Sequence, residues 1–147
     1  MKKLLFIGIL LTICAFCIFS CQTSKKNSSA ANNETPLCET QWMLTDINCE
    51  AIGDSPQKPF IKFSTDGNIK GNLGCNDFFG SYFVKKDKLS IEYKGSTKKL
   101  CNNMGVENAF AAALKKDINN YVIVGDVLII REKNQEVLRF KAAPKNE

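Results

Sequence analysis

The chain has 147 residues, 44% of them apolar and 24% charged, with a formal charge of +5. That is one domain of ordinary size and globular composition, which excludes wholesale disorder. It contains no His, so Ser-His-Asp and Cys-His catalysis, His proton shuttles and His-bearing zinc sites are excluded. All but two of the 20 basic residues are Lys, the exceptions being Arg131 and Arg139. Scattered Lys with so little Arg is not a nucleic-acid surface.

The first twenty residues read as an export signal. Met1-Lys2-Lys3 is a short basic segment, Leu4 to Phe19 is apolar or small throughout, and Ser20-Cys21 follows. Sixteen residues are few for a membrane span. Ile18-Phe19-Ser20-Cys21 resembles a bacterial lipobox, with an aliphatic residue at −3 and a small one at −1. Neither Cys14 nor Cys17 has a small residue before it. The expectation is a signal peptide over 1–20, cleavage, and acylation of Cys21, palmitate included. Two or more acyl chains hold a protein stably on a bilayer. The chain is thus expected in the cell envelope. Gln22 replaces the Asp that favours inner-membrane retention, which points to the outer membrane, facing the periplasm. Loss of Lys2 and Lys3 leaves 18 basic against 15 acidic side chains, a formal +3. Residues 21–36 are polar, Ser- and Asn-rich and without apolar periodicity, a flexible tether reaching at most about 50 Å.

From Leu37 the chain reads as short strands separated by turn signals. Gln41 to Ile47 alternates, and Phe60 to Ser64 is a second strand. Asp66-Gly67 turns into Asn68–Leu73. Gly80–Lys85 and Leu89–Tyr93 pair across Lys86-Asp87-Lys88. Met104 to Ile118 breaks the rhythm. It places Val106, Phe110, Ala113, Leu114 and Ile118 on one helical face, with Asn102 or Asn103 as cap and Glu107 in the first turn. Tyr121–Val124 and Val127–Arg131 flank Gly125-Asp126, which suits a type II′ turn, and Val137–Lys141 closes the domain. The fold class is mainly β (α+β): an antiparallel meander curling into a small barrel, with one amphipathic helix over it. Residues 142–147 are a polar tail.

Seven Cys are present. With Cys14 and Cys17 removed and Cys21 acylated, four remain: Cys38, Cys49, Cys75 and Cys101. An even count in an exported domain points to disulfides, with three connectivities open. We favour Cys38–Cys49 and Cys75–Cys101. No paired C-x₂₋₄-C knuckle supports zinc, and no C-x-x-C survives cleavage to support redox catalysis. No metal or cofactor is expected.

The densest segment is Gly71-Asn72-Leu73-Gly74-Cys75-Asn76-Asp77-Phe78-Phe79-Gly80-Ser81-Tyr82. Its glycines allow positive φ and close backbone approach, and Asn76-Asp77 suits a turn. Trp42-x-Leu44 and Phe63-x-x-Asp66-Gly67 precede it. Ser96-Thr97-x-x-x-Cys101, Glu107-x-x-Phe110-x-x-x-Leu114, Tyr121-x-Ile123-x-Gly125-x-x-Leu128 and Leu138-x-Phe140 follow. In that order and spacing, residues 37–141 resemble the META domain, the family of the HslJ-like heat-shock lipoproteins. The resemblance implies a lipocalin-like half-barrel with a helix, a link to envelope or heat stress, and no established enzymatic activity. Where the family usually has Met two residues before the second Cys, this chain has Lys99, and the Cys38/Cys49 pair has the look of a subgroup addition. The leading expectation is a non-enzymatic, monomeric envelope lipoprotein acting on an envelope partner or ligand. The alternative is a small-ligand-binding or inhibitor module using a rim formed by Gly74, Asn76, Phe78, Tyr82 and Thr97. Asp66 and Asp77, the carboxylates beside the Gly-rich turns, are explained as turn residues.

Overall fold

A computed structural model describes residues 34–144; the expected signal peptide, Cys21, the expected tether up to residue 33 and the last three residues lie outside the described part. In chain order the elements are β1 (Gln41–Ile47), β2 (Glu50–Ala51), β3 (Phe60–Phe63), β4 (Asn68–Asn72), β5 (Asp77–Lys85), β6 (Lys88–Ser96), α1 (Gly105–Leu114), β7 (Asn120–Val124), β8 (Val127–Glu132) and β9 (Gln135–Ala142). All nine strands join one antiparallel sheet in the order β6-β5-β4-β3-β1-β9-β8-β7, with β2 a short flap on β1.

Local chemistry accounts for the hairpins. β7 and β8 pair Val124 with Val127. Gly125 has φ 61° and Asp126 is not left-handed, as a type II′ turn requires. Between β8 and β9, Lys133 and Asn134 both take positive φ, and so do Asn48 and Cys49 between β1 and β2, the pattern of type I′ loops. The strands otherwise start where alternation places them. β5 begins three residues earlier than expected, because Asp77 and Phe78 pair with Asn72 and Gly71. β2 is an element the sequence reading did not contain.

The sheet curls into a half-barrel, as expected, and does not close into a full barrel. Its edges approach at one end only, where Tyr121 N–H donates to Asp87 O at 3.2 Å. Elsewhere α1 covers the concave face. Phe110 is fully buried, with ring centroids 5.8 Å from both Phe78 and Phe140. Ala113, Leu114 and Ile118 are buried beside it, as the helical periodicity predicts. The helix itself ends at Leu114, four residues short of the expected limit, and Ile118 packs from the segment beyond it. Its first amide is met by Asn103, whose Oδ1 accepts from Gly105 N–H at 3.1 Å. Trp42, Phe63 and Leu138 complete a side-chain-filled interior.

One expected bridge is absent. Cys38 and Cys49 are free thiols. Cys38 precedes β1 and Cys49 follows it, and seven extended residues hold their ends roughly 20 Å apart, against the ~7 Å limit for disulfide Cα atoms. Cys38 lies instead beside Phe63, with its Sγ 3.1 Å from the Tyr82 hydroxyl. Cys49 sits exposed at the hairpin tip.

Candidate functional site

The glycine-rich segment forms a tight turn, Leu73–Asn76, between β4 and β5. Gly74 has φ 118°, and a Cβ there would stand 3.2 Å from Ser55 Cβ, so both conformation and space favour glycine. Asn72 Oδ1 accepts from Gly74 N–H at 2.8 Å, and Asn72 Nδ2 donates to Gln57 Oε1 and Asp77 Oδ1, both at 2.8 Å. Gly74 O accepts from Gln57 N–H at 2.8 Å, docking the preceding loop onto the turn.

Asn76 is the centre of the arrangement. It is 2% exposed. Its Nδ2 donates to Glu107 Oε1 at 2.8 Å and to Lys99 O at 3.0 Å. Its Oδ1 accepts from Thr97 Oγ1 at 2.8 Å and from Lys99 N–H at 2.6 Å. These are the four hydrogen bonds a side-chain amide can make. Its backbone N–H donates to Glu107 Oε2 at 2.8 Å. Glu107, 7% exposed in the first turn of α1, is thus gripped by two donors of one residue. Cys75 and Cys101 are bonded to each other, with Cα atoms 6.3 Å apart, as favoured from the sequence. Turn, Ser96–Cys101 segment and helix start are therefore fastened together covalently and by a buried polar network.

Of the expected rim, Gly74, Asn76 and Thr97 come together here. Phe78 does not belong: it points into the core, stacked on Tyr93 at 6.0 Å. Tyr82 does not belong either. It lies six residues along β5 from Asn76, where its hydroxyl donates to Ser64 O at 2.8 Å and its ring packs edge-on against Phe63 at 5.0 Å. Burial, reinforced by the Cys38 thiol, pushes the Tyr82 phenol well above its ordinary range. The rise along the strand splits the two aromatics from the turn: β5 carries its inward residues away from the Asn76 end at about 6.6 Å per pair. The sequence reading missed Asn72, Gln57 and above all Glu107, which it treated as a partner for the helix dipole. The signal was present: a carboxylate three residues before Phe110 lies on the buried side of the helix. Lys99 enters the network through its main-chain N and O, with its side chain exposed, so a side-chain change at that position leaves these bonds intact.

Next to the network, an open cleft of about 410 Å³ is lined by Leu73, Tyr93, Met104 and Ala111, with Asn76, Thr97, Lys98 and Lys99 at its edge. Lys115 Nζ stands 5.0 Å over the Tyr93 ring on its helix side. Among the described residues no group of three or more Cys, Asp or Glu side chains is placed to hold a metal ion.

The glycine turn, the bridge from Cys75 to Cys101 and the helix all fall within the match to one family model. The META-domain profile covers residues 35–145. The chain belongs to the META-domain family. Two solved structures share the fold of this META domain. One is an NMR structure of a protein from Burkholderia xenovorans, 23% identical, with TM-score 0.55, covering 74% of this chain and 85% of that one. The other, also an NMR structure, is 22% identical with TM-score 0.52 and covers 69% of this chain and 87% of that one. No curated protein matches the chain significantly.

Proposed function

We propose that this chain is a lipid-anchored protein of the bacterial cell envelope, held at the outer membrane, whose META domain is a non-enzymatic module serving envelope or heat stress. One observation carries the reading. Ile18-Phe19-Ser20-Cys21 follows a basic-then-apolar leader and precedes a polar stretch that ends where the family match begins. The site supports a structural role. Asn76 bonds Glu107 and Thr97, and Asn72 bonds Gln57, Asp77 and the Gly74 N–H, which spends their chemistry on holding the fold. Intact mass of the protein isolated from the envelope tests the anchor. The expected mass is that of an acylated chain beginning at Cys21, and Cys21→Ser should leave an unacylated precursor. Unchanged acyl labelling in that variant overturns the reading.

The cleft beside Asn76 favours a second reading, a small-ligand or inhibitor module. Its apolar floor and its polar edge of Thr97, Lys98 and Lys99 suit an anionic ligand with an apolar part. Native mass spectrometry of the purified protein decides it: a retained small molecule, released by Tyr93→Ala, supports this reading, and a ligand-free mass refutes it.

A further inference from the structure

β5 has two faces. Phe78, Gly80, Tyr82 and Val84 turn toward the core, while Phe79 and Phe83 turn outward, 57% and 67% exposed. The two rings stand four residues apart on one strand, about 13 Å. Lysines surround them. Lys70 is the cross-strand partner of Phe79. Lys85 and Lys88 pair with each other on the same outward face, two positions beyond the Phe83–Ser90 pair. Lys86 holds the hairpin tip at φ 59°, a conformation that a glycine or asparagine adopts more readily. None of these four lysines is in an ion pair among the described residues. Of the acids on this side, Glu92 is occupied by Ser81 Oγ at 2.8 Å and Lys94 Nζ at 3.8 Å, Asp77 accepts from Asn72 Nδ2 at 2.8 Å, and Asp87 sits in the hairpin turn between Lys86 and Lys88.

We propose that this face docks on an anionic bilayer. Phe79 and Phe83 enter the interface, and Lys70, Lys85, Lys86 and Lys88 meet the lipid phosphates. Exposed aromatics flanked by long cationic side chains are the chemistry of interfacial binding, with the stems lying along the apolar layer and the ammonium groups reaching the headgroups. A protein partner would have to offer a separate pocket to each of two distant rings as well as acidic groups. A fluid anionic layer satisfies both at once. The inference deepens the lipid-anchor reading by saying which side of the domain lies on the lipid, and its test separates the two.

The protein isolated from the envelope carries a single Trp, Trp42, which is fully buried and so gives a constant background. In Phe83→Trp the new indole reports the face. Mixed with vesicles of phosphatidylglycerol and phosphatidylcholine, this variant is expected to shift its emission to the blue and to be quenched by brominated lipid. Phosphatidylcholine vesicles alone should leave it in water. Lys85→Gln with Lys88→Gln should weaken the anionic-vesicle response about 25-fold, from about fivefold per lysine near such a surface. Emission unchanged by anionic vesicles overturns the proposal and leaves an acidic protein as the occupant. An equal shift on neutral vesicles that ignores the lysines overturns it as well. Acylation at Cys21 is read separately by intact mass, so the anchor and the face can fail independently.

Discussion

Glu107→Ala removes the acceptor of two hydrogen bonds, both to Asn76 and both 2.8 Å. What remains is a backbone N–H and one amide hydrogen, buried in a residue 2% exposed. Each stranded donor costs about 1–3 kcal/mol, with the upper part of that range applying because the acceptor was a carboxylate. The expected loss is about 3–5 kcal/mol, a large share of the ~5–15 kcal/mol that holds a domain together. Glu107→Gln keeps one acceptor and turns an amide NH₂ toward a donor, so it should fall between wild type and Glu107→Ala. Trp42, the one Trp and fully buried, is the natural probe for urea unfolding. The decisive measurement is the cycle with Asn76→Ala. Residues that act as a unit are strongly non-additive, so the double variant should cost at least about 1.5 kcal/mol less than the sum of the two single variants. A Glu107→Ala loss under about 1 kcal/mol, or an additive cycle, would show that the network is bystander packing.

Phe110→Ala should cost about 3–5 kcal/mol by the same assay, since the ring is fully buried among Phe78 and Phe140; a loss under 1 kcal/mol would mean that the helix is docked by another face. Replacing Cys75 and Cys101 together by Ala should cost about 2–5 kcal/mol, because the bridge closes a loop with sequence separation 26. Thiol labelling of the native domain should find Cys49 rapidly and Cys38 slowly, while non-reducing peptide maps that join those two would refute the free-thiol assignment. Tyr82 is one of three tyrosines, and its folded-state phenol titrates well above the unfolded one because burial penalises the phenolate. The folded state therefore holds a proton that the unfolded state gives up above about pH 10. That contribution is complete below pH 10 and is lost as pH climbs toward the folded-state value. Absorbance at alkaline pH should show Tyr82 ionising only together with unfolding; early titration of all three would contradict it.

Local signals and long-range ones differed in how far they could be read. Val124-Gly125-Asp126-Val127 specifies its own hairpin, because a Gly-Asp pair flanked by two β-branched residues has few other uses. The helix face through Phe110, Ala113 and Leu114 follows from spacing alone. β2 escaped because its turn places Cys49 at φ 66°, and no turn propensity marks a cysteine there. The insertion of β9 beside β1 was equally hidden: alternation says which face a residue shows and nothing about its neighbour across the ladder. At the site, Cys75–Cys101, Gly74, Asn76 and Thr97 were legible as a cluster. Phe78 and Tyr82 were not separable from it, since contiguity in sequence says little when a strand carries residues several ångströms away at each step. Glu107 was misread because an acid at a helix start has an ordinary explanation at the surface, and only a buried donor pair reveals the other one.

β1 has β3 on one side and β9 on the other, and Trp42 pairs with Ala142. A chain synthesised from its N-terminus can assemble the hairpins of β3 to β6 as they emerge, yet one whole edge of its first strand stays without a neighbour until the last strand arrives. The eight residues of β9 act as the closing stave of the curl. Removing them would open the middle of the sheet, between β1 and β8, and split the remainder into two strand groups with no ladder between them. A stop codon near residue 135 is therefore a far graver lesion than its distance from the glycine turn suggests, because it removes the strand that joins the two groups.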